Sequence, residues 1–257
     1  MFNFFKKKLE PVTLTFYTTR HGLPEFASNR PMTKAIPKWW KDIPSYFDSK
    51  NLVDRNKSKN PAHKIGKREK TVKHCYAIQK TIEKGIVVPL WSDHNVFVTP
   101  DKKVRGLSPP GNKGNEHPRI QYPGAIGDDW INYKFESPWL VYTDKPVNFY
   151  MTDAFYHNTN KDWMAMPGVM EFYYQHHFNI NTILKIPNGQ NGFQYDFKPD
   201  DIMAYLMPMF ENPLIIKTEL ITKEEYEALE FGKRIWFNPA KAAIKQNIGG
   251  CPFHRKK

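Results

Sequence analysis

The sequence has only two cysteines in 257 residues. That excludes a disulfide framework and fits a reducing compartment. No stretch approaches 18 uncharged apolar residues, so the sequence offers no transmembrane-helix candidate. Glycine is scarce, at 14 residues, and there is neither an internal repeat nor a low-complexity tract. No Gly-x-Ser-x-Gly elbow occurs, and Gly111-Asn-Lys-Gly114 lacks the strand and helix context of a phosphate loop. No His-x-Asp, His-x-Glu or His-x-His triplet is present, which removes the usual patterns of facial-triad oxygenases and cupins. No zinc-finger spacing, helix-turn-helix pattern or RNP-type motif marks a nucleic-acid reader.

What the sequence does contain is aromatic side chains, 15% of residues, and a net charge of +12. So many large apolar groups argue against disorder. The charge is uneven. Residues 1–70 hold 16 Lys/Arg against 6 Asp/Glu, while residues 71–257 hold 22 against 20. The densest stretch runs from Lys50 to Lys73 and has no strand or helix periodicity. It reads as a solvated arm, with Lys57, Lys59, Lys64, Lys67, Arg68 and Lys70 as candidate contacts to nucleic acid or an acidic protein. The opening Met1-Phe-Asn-Phe-Phe-Lys-Lys-Lys8 has its apolar and basic parts in the wrong order for a signal peptide.

The apolar pattern predicts a strand at 12–18, then a Pro- and aromatic-rich segment at 20–49 strapped across the core or held by a partner. A helix is expected over 71–84, with Cys75 on its apolar side and Gly85 as its left-handed stop. Strands at 86–90 and 95–99, joined by the turn 91–94, precede a long surface loop at 100–129. Seven short runs follow, at 130–135, 139–143, 147–151, 169–174, 178–186, 202–207 and 214–220, spaced as in a sandwich or barrel. Thr222 and Glu225 form a capping box ahead of a helix, and Asn238-Pro239 opens a second. The expected fold is mainly β, a jelly-roll-like or β-clip-like sandwich with a few peripheral helices. Residues 1–70 are its irregular basic wrap, 71–220 its core and 221–257 its helical end.

No cofactor is expected. Cys251 and His254 have ligand-like spacing, but His74-Cys75, which could supply two more ligands, is adjacent in sequence, so its side chains converge poorly and a zinc site is only a weak candidate. His176 and His177, on a strand, must face opposite ways. Asp153 and His157 lie four apart in a loop-like stretch.

Pro167-Gly-Val-Met-Glu-Phe-Tyr-Tyr174, followed by Asp201-Ile-Met-Ala-Tyr205, resembles the strands of dUTPase and dCTP-deaminase β-clip enzymes. The resemblance implies nucleotide chemistry, with Glu171, Tyr174 and Asp201 at the matching positions. For an enzyme the candidate residues are therefore Glu171, Tyr174, His176, Asp201 and Asp153. Further pieces occur in order: Thr15-Phe-Tyr, Lys38-Trp-Trp-Lys, Thr71-Val-Lys-His-Cys-Tyr, Gly85-Ile-Val-Val-Pro-Leu-Trp-Ser-Asp93, Glu136-Ser-Pro-Trp-Leu140 and Asp201-Ile-Met-Ala-Tyr-Leu-Met-Pro208. Together, over residues 12–210, they resemble an uncharacterised family of large tailed, T4-like bacteriophages, marine ones included. That resemblance implies expression in an infected bacterium's cytoplasm, or incorporation in the virion, and supplies no activity. The leading expectation is a non-enzymatic binding or structural protein whose partner is a phage or host protein, nucleic acid or a second copy of itself. The alternatives are an infection-stage enzyme acting on a small molecule and a host-directed inhibitor.

Overall fold

The computed structural model describes residues 9–48, 68–99, 101–109, 113–117, 127–158, 162–174, 176–186 and 192–229. They form mainly strands. One sheet contains β1 (Val12–Thr18), β8 (Lys113–His117), β9 (Trp130–Thr143), β11 (Trp163–Ala165), β13 (His177–Lys185) and β16 (Leu214–Leu220), in the order β11-β13-β9-β1-β16 with β8 beside β9. A second has the order β12-β10-β15-β5-β2, from β2 (Arg30–Pro31), β5 (Ile86–Pro89), β10 (Phe149–Asp153), β12 (Gly168–Met170) and β15 (Ile202–Pro208). A third joins β14 (Phe193–Phe197), β6 (His94–Val98) and β7 (Val104–Leu107), and a two-stranded ribbon pairs β3 (Tyr46–Asp48) with β4 (Arg68–Lys70).

The three larger sheets share one core, a sandwich as the alternation of the sequence predicts. Leu14, Phe16, Phe135, Trp139 and Ile180 come from the first sheet, Ile86, Phe149 and Leu206 from the second, and Val96, Tyr195 and Phe197 from the third. The second sheet is covered on its other side too. Val87 and Tyr205 point there, against Met32, Ile82 and Ala154. This explains why β5 is an unbroken apolar run buried at every residue rather than an alternating one. The cover is made by the short helices α2 (Lys38–Asp42) and α3 (Tyr76–Lys84) and by Met32, Ala35 and Ile36 of the segment before α2, whereas α1 (Leu23–Phe26) sends Leu23 into the shared core.

Four expectations need correction. Residues 12–18 are not part of a wrap outside a core that starts at 71. As β1 they lie between β9 and β16 with Val12, Leu14 and Phe16 fully buried. The runs 130–135 and 139–143 are one strand, because Pro138 sits in a bulge. There Ser137, Pro138 and Trp139 oppose only Phe178, and the freed amides are satisfied by side chains: Ser137 N donates to Asn179 Oδ1 at 3.1 Å and Trp139 N to Ser137 Oγ at 3.1 Å. The 100–129 stretch contains β7 and β8. The two strands flanking 91–94 belong to different sheets.

Tyr133 ties the first sheet to the third. Its ring is 1% exposed, burial pushes its phenol up to about 12, and a side chain at Gly106 or Gly114 would run into its hydroxyl. Glycine is required here by close approach, since at Gly106 the next ring atom, Cζ, lies 3.1 Å from an added Cβ. Gly106→Ala should therefore cost about 1–3 kcal/mol. Tyr133→Phe, which removes the colliding atom, should recover much of that cost in a double-mutant cycle read by urea unfolding.

Candidate functional site

The candidate enzyme residues do not converge. Asp153 stands opposite Ala204 at the end of the second sheet where β15 begins, and its Oδ1 accepts from Ala165 N at 3.0 Å. Asp201 lies at that same end but is turned into its own loop, its Oδ2 accepting from Lys198 N at 2.7 Å. Glu171 follows Met170, which pairs with Phe149, and Phe149 pairs with Pro208. Glu171 is therefore at the opposite end, just past a row that lies four strand residues (about 13 Å) from Asp153's. It is exposed in a turn whose carbonyl accepts Tyr174 N at 2.9 Å. Tyr174 is exposed against Tyr173, with ring centroids 4.9 Å apart. His176 is 6% exposed, with Nδ1 donating to Val141 O at 2.7 Å and its ring on Tyr142. His177 is exposed, as the strand alternation requires. Among the described residues no group of three or more His, Cys, Asp or Glu gathers to hold a metal. Cys251 and His254 lie outside them.

His157 is paired with something other than Asp153. Its Nε2 sits 2.6 Å from the Ala35 carbonyl, which can only accept, so Nε2 carries the proton. Nδ1, 2.6 Å from Tyr205 Oη, then accepts, and the phenol donates to it while accepting Tyr156 N at 3.1 Å. Burial lowers the His157 pKa and raises that of Tyr205. A neutral imidazole thus pins the 32–37 segment to β15. Trp39 adds a second pin, donating Nε1 to Tyr156 O at 2.7 Å. Arg30 adds a third, an ion pair with Asp200 at 2.9 Å. The Pro-rich segment is thereby strapped across the second sheet, as its composition suggested. The His–Tyr pair itself left no signal in the sequence, because nothing in the spacing of residues 157 and 205 announces contact.

The strap delivers the chain to the β3–β4 ribbon. There Tyr46, Phe47 and Asp48 pair with Lys70, Glu69 and Arg68. Thr71 fastens the ribbon: its Oγ1 donates to Pro44 O at 2.7 Å, its backbone N to Ser45 O at 3.1 Å, and its Oγ1 accepts Lys73 N at 3.3 Å. Lys73 Nζ reaches Lys41 O at 3.3 Å, and the His74 ring lies on Tyr46, centroids 4.7 Å apart. Thr71 caps a short 3-10 turn, so α3 starts only at Tyr76 and Cys75 is exposed, where the apolar side of a longer helix was expected. Gly85 ends α3 in an extended conformation, φ −68°, and is needed because a Cβ there would lie 2.6 Å from Thr81 O. Beside the ribbon opens a cleft of about 480 Å³, with Trp40 and Ile82 among its apolar lining and Lys73, His74, Gln79 and Glu83 among its polar lining.

Asp48 and Arg68 face each other across the ribbon, so the chain between them, residues 49–67, leaves and returns at one fixed place. That stretch carries Lys50, Arg55, Lys57, Lys59, Lys64 and Lys67 against Asp54 alone. Of the proposed contacts, Lys57, Lys59, Lys64 and Lys67 lie outside the described residues, while Arg68 and Lys70 are in β4. Lys38 and Lys41 on α2 and Lys70 on β4 are exposed. No protein-family model, no curated protein and no solved structure matches the chain. Among the described residues no helix is long and apolar enough to cross a membrane.

Proposed function

We propose that the protein is a non-enzymatic, phage-encoded binding protein that holds a polyanion, nucleic-acid phosphate first, with the basic segment between β3 and β4. The single observation that carries this reading is the pairing of Asp48 with Arg68. It gathers the basic residues of 49–67 at one anchored ribbon instead of leaving them on a free tail. The exposed Lys38, Lys41 and Lys70 add charge from rigid elements around it. A chain segment tethered at both ends has fewer conformations to lose on binding a phosphate backbone than a free tail has. The separation of Glu171 from Asp153 and Asp201 weighs against the enzyme reading. The resemblance over residues 12–210 to the T4-like phage family supports assigning it to infection.

The test is affinity for a duplex oligonucleotide as a function of salt. Each phosphate contact contributes about 0.9 to the slope of log K against log salt. Replacing Lys57, Lys59, Lys64 and Lys67 together by Gln should reduce that slope by about 3 to 4. A flat salt dependence in the unaltered protein, or an unchanged slope in the variant, overturns the proposal.

A further inference from the structure

Among the described residues the first sheet ends in an open edge. β16 pairs with β1 on one side, in parallel register from Val12↔Leu214 to Thr18↔Leu220, and no described strand follows it in the sheet order. The hydrogen bonds at the two ends of the ladder, Val12 N to Pro213 O at 2.8 Å and Ile221 N to Thr18 O at 2.9 Å, set its parity. Residues 215, 217 and 219 turn their N–H and C=O groups toward β1, so Leu214, Ile216, Thr218 and Leu220 turn theirs away from it. Among the described residues no hydrogen bond reaches those outward groups. A row of unpaired backbone groups seven residues long is a template for another strand, and proteins ordinarily blunt such edges.

The side chains say which strand fits. Ile215, Lys217 and Glu219 are exposed on one face, and neither charge is in an ion pair among the described residues. Place a second copy of β16 antiparallel to the first, with a two-fold axis through Thr218. Thr218 then meets Thr218, Ile216 meets Leu220, and the outward N–H and C=O groups of all three exchange hydrogen bonds. Between them, at the closely spaced non-hydrogen-bonded positions, Lys217 meets Glu219 and Glu219 meets Lys217. Centring the pair on Lys217 or on Glu219 instead sets like charges directly opposite. Only the Thr218 centre satisfies the backbone, matches both charges and keeps apolar beside apolar. The opposite face adds a reason to close the edge. Leu214 and Ile216 join Pro31, Ile86 and Phe210 on the apolar wall of a cleft of about 220 Å³ whose other lining includes Glu83, Lys84, Glu211 and Asn212, and the partner's Leu220, 44% exposed in the single chain, would come in on that face opposite Ile216.

We infer that the occupant is a second copy of this chain, forming a two-fold dimer in which the two β16 strands make one continuous sheet. The pattern Ile-Lys-Thr-Glu-Leu is self-complementary only under that symmetry, which is the requirement of an isologous interface.

The test is the mass of the full-length protein by sedimentation equilibrium across a concentration series. The expected result is a rise from 30.2 kDa toward twice that value. Lys217→Glu alone and Glu219→Lys alone should each weaken the dimer about tenfold or more, because two attractive cross-strand pairs become repulsive. The double variant Lys217→Glu/Glu219→Lys restores both pairs and should dimerise within about threefold of the unaltered protein. Both side chains are exposed, so these variants leave the fold intact. Thr218→Pro, which removes an outward N–H without touching the β1 ladder, should also yield monomer. A protein monomeric at every concentration, with the edge covered by another part of its own chain, overturns the proposal. So does a dimer that neither charge reversal weakens.

Discussion

Between pH 6.5 and pH 4 the protein should lose about 3 kcal/mol of stability, and a His94→Leu variant should be spared most of that loss. His94 is fully buried in β6. Its ring packs edge-to-face with Phe135, 5.1 Å away, and Trp91, 6.4 Å away, and neither ring nitrogen has a hydrogen-bond partner among the described residues. Burial is the main reason its pKa falls from 6.5 to about 4, with the Arg20 charge pushing the same way and Asp93 opposing. The sign follows from the depressed value. Above pH 6.5 the imidazole is neutral in both states and proton linkage changes nothing. As pH falls below 6.5 the unfolded chain takes up the proton first, and the folded state loses about 1.4 kcal/mol per pH unit. Near pH 4 the folded protein also binds it and the loss levels off. His157, whose pKa burial also lowers, adds a loss of the same sign, and it persists in the variant. At pH 7 His94→Leu should be no less stable than the unaltered protein, because it replaces an unpartnered buried imidazole with an apolar group of similar size. Urea unfolding at pH 7, 6, 5 and 4 reads all of this. An identical pH slope in both proteins would show that His94 does not carry the effect.

How much of this was legible in the sequence depended on whether a local pattern carried the information. β1 and β16 fall on the residues their alternation predicts. The Thr222–Glu225 capping box forms reciprocally, with Thr222 N to Glu225 Oε2 at 2.8 Å and Glu225 N to Thr222 Oγ1 at 3.2 Å. His176 and His177 divide between core and solvent. All of these rest on neighbours within four residues. β7 escaped notice because three of its four residues are exposed and it has no apolar face to display. β9 looked like two strands because Pro138 signals a break unless Asn179 and Ser137 are there to satisfy the bulge. The candidate site failed for a longer-range reason. The acids of the β-clip resemblance are separated by the antiparallel register of β10, β12 and β15, and that register is set by partners tens of residues away. The ribbon that anchors the basic segment was invisible for the same reason. Asp48 and Arg68 are ordinary charged residues until the chain brings them opposite each other.

Replacing Phe135 with alanine should cost about 3–5 kcal/mol at pH 7, a large part of the 5–15 kcal/mol by which domains are ordinarily stable. Phe135 is completely buried, and its ring makes edge contacts with three others: Tyr133 at 5.0 Å, His94 at 5.1 Å and Phe197 at 5.1 Å. Those contacts join β9 of the first sheet to β6 and β14 of the third, so the cavity cannot collapse without moving one sheet against the other. A site that cannot relax is at the expensive end of large-to-small replacements. Phe155→Ala is the matching control. Its ring touches Tyr156 but is 62% exposed, and its loss should change stability by about 0.5 kcal/mol or less. Urea midpoints for the two variants decide between a core held by this cluster and one that redistributes its packing. A loss below about 1 kcal/mol at Phe135 would favour the second. The same cavity also couples to the acid response. Removing the Phe135 ring opens space beside the unpartnered nitrogens of His94, and water admitted there would stabilise the imidazolium and raise its pKa. Phe135→Ala should then be less stable than the unaltered protein at pH 7 yet lose less on going to pH 4, so the two unfolding curves converge as the pH falls.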